Sequence, residues 1–405
     1  MGDRSTVQVL GGIQTARHLW TYGRCCCLSR CGFRGSGLYA SPGLDCGGSI
    51  SSFLDCGACR IELDQLCAAV FRGKSLIASR HAGAPVDFTG APTNPLTRGK
   101  RNVELDLKDS AALGLMVAMI GVADVFIDPF RPGVCERLTI GPTEMCVANE
   151  GLVYARMTGF GQTGPWAKRA GHDINYIALS GVLHSVGRAG APPTIPLNLV
   201  GDFAGGGQLL ALGVCAALVE RATSGVGQVI DVSMVEGAAQ ILGPIFAGSE
   251  SGFFGDRGTT WLDGGAHFYN VYAASDGRYM SVGAVEPQFH AELLARLNMS
   301  PATPQWESSL WPALKAEMAT IFAAKTGEEW CEVFADSDAC VAPVLAPSEV
   351  ASHPHTAARN SVTRINGVLQ PNPAPLFSRT PSHARAPHHR GTTSAADIIS
   401  EWTTT

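Results

Sequence analysis

The sequence predicts a parallel α/β unit followed by a smaller α+β unit, and three observations carry that prediction. Short apolar strand-like runs alternate with helical stretches between residues 102 and 232, the pattern of parallel strands joined by crossover helices. Past Glu236 the text changes to strand-like runs at 267–272 and 279–282, separated by the turn signal Ser275-Asp276-Gly277. A chain of 405 residues with 45% hydrophobic content is also long enough for two cores.

Taken in order, the first readable element is a strand at 102–107, then a helix at 110–122 with Ser110 as its N-cap. The buried strand 124–128 ends at the Pro-Phe-Arg-Pro-Gly turn of 129–133. A helix at 142–149 opens on Pro142, whose missing N–H costs nothing in a first turn, and a strand follows at 152–157. A helix over 203–222 is stopped by Gly225 and Gly227, and the strand 228–232 closes the sheet. A helical stretch after Glu236 leads into Gly-rich text at 262–265. Helices at 287–297 and 311–325 complete the smaller unit, and the Pro- and His-rich stretch 352–390 reads as an extended tether.

Composition excludes several classes. Thirty basic against thirty-five acidic residues give a net charge of -5, without the basic excess of a nucleic-acid binder. The apolar stretches 111–123 and 209–219 fall short of the ~20 residues that span a bilayer, so no membrane span is expected. Thirteen cysteines are present, and Cys25, Cys26, Cys27, Cys31, Cys46, Cys56, Cys59 and Cys67 crowd the start. Cys56 and Cys59 have metal spacing, but no second pair accompanies them, so reduced thiols and no metal are expected. Residues 1–44 carry five Arg and the single acid Asp3, which is transit-peptide chemistry.

Two islands are dense in functional groups. The run Gly159–Gly164 matches GxGxxG after a strand, but Pro165 and Trp166 follow where a small-residue helix should begin, and no acid stands ~20 residues on, so a dinucleotide site is not expected. Next comes Gly171-His172-Asp173-Ile174-Asn175-Tyr176, with four hydrogen-bonding side chains in six residues, where α/β proteins place their sites. The second island is 199–207, where Asp202 stands at a helix start before Gly205, Gly206 and Gly207. Asp202 has the chemistry of an N-cap, yet three glycines weaken a helix by ~1 kcal/mol each, which implies a close approach to that backbone. An exposed helix start there would also suit a developing oxyanion.

The segments GHDINYIALSGVLHSVGR, PLNLVGDFAGGGQLLALGVCAALVER, GQVIDVSMVEG, LDGGAHFYN and GAVEPQF resemble the α-methylacyl-CoA racemases of the family III CoA-transferase superfamily, over about residues 92–345 and more faintly in the tail. The resemblance implies an open Rossmann-like parallel sheet in a large domain, a smaller α+β domain, and two protomers interlocked as a homodimer. It divides the chain into a divergent segment 1–90, a CoA-binding domain 91–235, a linker helix 236–260, a small domain 261–345, and a tether with a return to the large domain at 346–405. It implies interconversion of (2R)- and (2S)-2-methylacyl-CoA thioesters by two-base proton transfer through an enolate. His172 and Asp202 match the acid/base pair and Glu286 the acid that orients the His. Arg98, Lys100, Arg101, Leu105, Asp106, Leu107, Lys108 and Arg131 match the CoA-binding text, and Gly171, Asp173, Ile174, Asn175 and Tyr176 the thioester pocket.

On that reading the acyl-CoA is the substrate and no separate cofactor is needed. One alternative is a CoA-transferase of the same superfamily with Asp173 as nucleophile; another is an inactive CoA-binding homologue. Residues 1–90 depart from the family's opening strand and loop, so part of the CoA site is expected to be missing. The compartment expected is mitochondrion or peroxisome in a eukaryote, otherwise cytoplasm, since Thr403-Thr404-Thr405 is not an S-K-L type address.

Overall fold

The computed structural model describes Ser5–Leu10, Cys26–Cys27, Ser75–Ser79 and residues 100–386 and 393–404. The chain forms two compact units. The larger takes the chain up to Ser180, Leu197–Ile241 and the part from Ala358 onward; the smaller takes Gly181–Pro196 and Leu242–Ala357. The Cys56–Cys59 pair lies outside the described residues.

In the larger unit, strands β1 (Ser5–Leu10), β2 (Cys26–Cys27), β3 (Ser75–Ser79) and β4 (Lys100–Leu105) precede β5 (Val125–Asp128), β6 (Val153–Thr158) and β7 (Val229–Ser233). A parallel sheet runs in the order β2-β5-β6-β7. The strand read at 102–107 is real as β4 but pairs antiparallel with β1 in a separate sheet, because an apolar run specifies extended backbone and not a partner. Every residue of β5 and β6 is buried, as in a sheet covered on both faces. Their side chains alternate between two cores. Val125, Ile127, Val153, Ala155 and Met157 pack with Leu210, Val214 and Met234. Phe126 and Tyr154 face Met116, Met119, Ile120, Ile398 and Trp402.

The helix Ser110–Gly121 is capped one residue earlier than expected: Asp109 is extended and accepts from the Ala111 N–H at 2.9 Å, while Ser110 is already helical. The helix expected over 203–222 is longer at both ends. It begins as a wide helix, Leu199–Gln208, with i→i+5 geometry, and continues as Leu209–Ser224, where Gly225 in the left-handed region stops it. Leu199–Ser224 is long and apolar enough to match a membrane span by length and composition alone, but its Leu210, Ala211, Val214 and Ala217 are buried in the larger unit. The close approach that the glycines implied is made by Met234–Ile241, for a Cβ on Gly205 would meet the backbone of Gly237 and Ala238, and a Cβ on Gly237 would meet the Gly205 carbonyl.

The tail differs from the extended tether expected at 352–390. It contains a short helix, Pro354–Ala358, and after the smaller unit described next, a hairpin in the larger one. In the smaller unit β8 (Tyr269–Ala273), β9 (Tyr279–Gly283) and β10 (Val341–Pro343) form an antiparallel sheet in the order β10-β9-β8. Tyr272, Met280 and Val282 point into a core with Leu293, Leu294, Met318, Phe322 and Trp330. Of the stretch expected as a linker helix, 236–250 is helical in two pieces that break at Leu242, 251–260 is turns and bends, and Gly243–Glu250 belongs to the smaller unit. So does Gly181–Pro196, where the Arg257 guanidinium donates to the carbonyls of His184 and Ala191. The hairpin pairs β11 (Val362–Ile365) with β12 (Val368–Pro371) through Asn366 and Gly367, both at positive φ. Asn-Gly is the strongest two-residue hairpin signal, and the Pro and His content around it masked that signal. The final helix, Ala395–Thr403, buries Ile398 and Trp402 in the core of the larger unit.

His267 and His290 form a buried pair in the smaller unit, with Nε2 to Nε2 at 3.0 Å. His267 Nδ1 is enclosed without a partner. The two rings therefore share one hydrogen bond through their Nε2 atoms. Burial, and next the neighbouring His290, push His267 down to about 4; burial lowers His290 as well.

Two predictions follow from this packing. The unfolded chain protonates these rings near 6.5 and the folded chain lower, so their contribution to stability is present above about 6.5 and is lost as the pH falls toward the folded value, at up to ~1.4 kcal/mol per pH unit for each ring. Thermal melts from pH 7.5 to 4.5 read this, and a midpoint that is flat through that range would refute it. Gly237→Ala is expected to cost about 2 kcal/mol or more by overpacking against Gly205. Gly114→Ala, where a Cβ meets nothing within 4 Å, is expected to stabilise by about 0.5 kcal/mol or more; denaturant melts of the pair show the contrast.

Candidate active site

The two islands meet in the larger unit. The first follows β6 through a loop in which Gly161 and Gly164 have positive φ. The Gln162 N–H donates to Asp231 at 3.1 Å and the Val235 N–H to the Gly159 carbonyl at 3.2 Å. No helix opens on this loop; the next one is Asp173–Leu179.

His172 stands in extended backbone immediately before that helix. Its N–H donates to Asn175 Oδ1 at 3.1 Å, while the Asn175 N–H donates to the His172 carbonyl at 2.8 Å. This reciprocal closure fixes the His172 backbone and leaves the ring on the exposed side. Tyr176 is buried, its ring over Gly159 and its hydroxyl donating to the Gly171 carbonyl. Phe160 packs edge-on against it at 5.1 Å. The Tyr176 ring thus holds the loop from beneath, and Gly171 is buried against it. Ile174 and Asn175 are exposed.

Asp173 reaches across to the second island. Its Oδ2 accepts from the Gly201 N–H at 2.7 Å and from the Asp202 N–H at 2.8 Å. Both donors lie in the first turn of Leu199–Gln208, where amides have no partner within the helix. Burial raises the Asp173 carboxyl and the two amide bonds pull it back in part. Asp202 is buried inside this helix and does not cap it, since the helix begins at Leu199. The Gly201 and Asp202 amides are therefore committed to Asp173.

Asn198 was not anticipated. Its Nδ2 donates to Asp202 Oδ2 at 3.1 Å, and the signal available in the sequence is the spacing of four residues. Leu197 before it has φ of 59°, a left-handed conformation unusual for Leu. Sequence likewise did not indicate that Asp128, pushed up to about 6 by burial against the pull of Arg156, would bond Arg156 at 3.1 Å. Arg156 also bonds Glu136 at 2.8 Å, and Asp128 accepts from the Phe130 N–H at 2.9 Å. Together they brace the turn that carries Arg131.

The remaining expected residues are dispersed. Arg98 lies outside the described residues, and Lys100 opens β4. Arg101 pairs with Glu401 at 2.8 Å. Leu105 and Leu107 are buried in the core, Asp106 closes a turn onto the Lys108 N–H, and Lys108 is exposed. Glu286 stands at the N-terminus of Pro287–Arg296 in the smaller unit. Among the described residues no three His, Cys, Asp or Glu side chains form a metal cluster.

The family model of CoA-transferase family III matches residues 78–391. An α-methylacyl-CoA racemase of Mus musculus is 49% identical over 293 residues, 71% of this chain and 77% of that protein. One of Homo sapiens is 45% identical over 291 residues, 71% of this chain and 76% of that protein. The crystal structure of a CAIB/BAIF family protein from Brucella suis superposes with a TM-score of 0.65 at 23% identity, covering 78% of this chain and 83% of that one.

Removing the hydroxyl under the loop isolates its share of the packing. Tyr176→Phe leaves the Gly171 carbonyl without its donor and is expected to cost about 1 kcal/mol, whereas Tyr176→Ala, which also opens a cavity, is expected to cost about 3 kcal/mol or more. Urea titrations of the two variants measure both.

Proposed function

The chain belongs to CoA-transferase family III, and from that premise we propose that it is a racemase that interconverts (2R)- and (2S)-2-methylacyl-CoA thioesters. The observation that carries the reading is the coupling of the two acid/base candidates: His172 is adjacent in sequence to Asp173, and Asp173 holds the backbone amide of Asp202 at 2.8 Å. The racemases of mouse and human at 49% and 45% identity supply the substrate class.

The chemistry suits such a pair. The proton on the carbon beside a thioester is removed to give an enolate, and inversion requires its return from the opposite face. One base therefore takes the proton and a second group, acting as acid, gives one back. We assign these tasks to His172 and Asp202. Glu286 keeps the role of a supporting acid on the resemblance of its Val285-Glu286-Pro287-Gln288 text. The thioester supplies the electron sink, so no further cofactor is required. Arg131 and Arg101 are assigned to the CoA phosphates, with Arg101 exchanging its exposed partner Glu401 for phosphate. A homodimer is proposed as well; the outward face of β8 and β9 leaves Tyr269, Val271 and Tyr279 exposed in the described chain, the kind of surface a partner covers.

The test is proton exchange. One enantiomer of a 2-methylacyl-CoA in deuterated water is expected to gain deuterium and lose stereochemical purity together, and a chelator is expected to leave the rate unchanged. His172→Ala and Asp202→Asn are each expected to lower epimerisation by about 100-fold to 10,000-fold while acyl-CoA binding stays within about threefold. Transfer of CoA to an added carboxylate without exchange would replace this reading with the transferase, and binding with neither reaction would replace it with an inactive homologue.

A further inference from the structure

We propose that Asp173 is the positioning residue that sets Asp202 in register for proton transfer. The inference rests on the racemase reading and assigns to Asp173 a task other than nucleophilic attack. The wide helix Leu199–Gln208 has no side-chain cap of its own at Asn198, so its first amides need an acceptor from elsewhere. Asp173 supplies it from 28 and 29 residues away, one oxygen accepting from both Gly201 and Asp202. A negative group at a helix N-terminus is favoured by the helix dipole as well.

A second observation shows that the contact is built in. A Cβ on Gly201 would lie 2.8 Å from Asp173 Oδ2 and 3.3 Å from Ile177, so only glycine at 201 lets the carboxylate seat on the amides. Asp173 is also buried, and its Oδ1 is enclosed with no partner. A nucleophile must present an oxygen to the thioester carbon; here one oxygen is bonded to two amides and the other is enclosed. What the arrangement does achieve is to make the chain at His172 and the chain at Asp202 one rigid piece, joined by a single peptide link and one hydrogen bond. Proton transfer is sensitive to such registry, and a displacement of ~1 Å is enough to cost ~100-fold in rate.

Two half-reactions separate this role from general support of the fold. In deuterated water each pure enantiomer is followed for exchange and for inversion, with kcat and KM measured apart. Asp173→Ala is expected to lower kcat for inversion about 100-fold with KM within about threefold. Exchange with retention is expected to persist for the enantiomer that presents its proton to His172 and to fail for the other. Asp173→Asn keeps an acceptor oxygen in place and is expected to retain at least about a tenth of the wild-type rate. Gly201→Ala is expected to reproduce the one-sided loss. Inversion by Asp173→Ala within about threefold of wild type overturns the proposal, as does equal loss of exchange from both enantiomers in a folded variant. Should Asp173→Ala fail to fold, Asp173→Asn decides: inactivity in the folded Asn variant overturns positioning. A wild-type chain that exchanges neither enantiomer removes the racemase reading, and this inference with it.

Discussion

One carboxylate governs the geometry of the larger unit's site. By accepting from two amides in the first turn of a helix that starts 26 residues further along the chain, Asp173 ties together two segments that the sheet places side by side but does not fasten. The bond is short and buried, where hydrogen bonds to a charged acceptor contribute about 1.5–3 kcal/mol each. Other features follow from it. Asn175 closes the backbone at His172 so that Asp173 can begin its helix pointing at the second segment, and Tyr176 lies one turn further along, carrying the preceding loop on its ring.

The wide helix is the second half of the arrangement. An i→i+5 run of ten residues is rare, and it stores the cost of poorer packing down its axis. Here it is held by a crossing helix at backbone contact distance, which glycine at 205 and 237 allows. Gly205 of the glycine triplet therefore serves helix crossing. Once Leu209 is reached the geometry returns to an ordinary α-helix whose apolar stripe of Leu210, Val214 and Ala217 packs on the sheet. Asp202 sits in the wide part, buried, four residues after the Asn198 amide that donates to it.

How much of this was legible depended on whether the signal was local. Periodicity gave β5, β6, the helix opening on Pro142, and the stop at Gly225, because each is written in a few neighbouring residues. The functional islands were legible as islands. Their connection was not, since nothing in a row of letters says that residue 173 accepts from 201 and 202. Pairing was hidden for the same reason in β4, whose antiparallel neighbour β1 lies in the Arg-rich start that reads as transit-peptide chemistry. The hairpin at Asn366-Gly367 was legible and was outweighed by composition, which describes a segment on average and so loses a two-residue turn. The His267–His290 pair stood 23 residues apart with no pattern to join them.

Two of the buried carboxylates of the larger unit, Asp128 and Asp173, are compensated in different ways. Asp128 is compensated by a guanidinium, with Arg156 at 3.1 Å and Glu136 completing the network. This is a rigid solution for a turn that has only to hold still. Asp173 is compensated by two backbone dipoles instead. A cation in that place would balance the charge equally well, but it would stand beside the backbone of Asp202, and an opposite charge within about 4–6 Å of a carboxylate favours its ionised form and weakens it as a base. Amide donors carry no net charge, so they fix the position of the neighbouring carboxylate without placing a full positive charge beside it. On the proposed reading Asp202 both takes and returns a proton near neutral pH and needs that separation between being held and being neutralised, which the Asp173 carboxylate, bound to the Gly201 and Asp202 amides, provides.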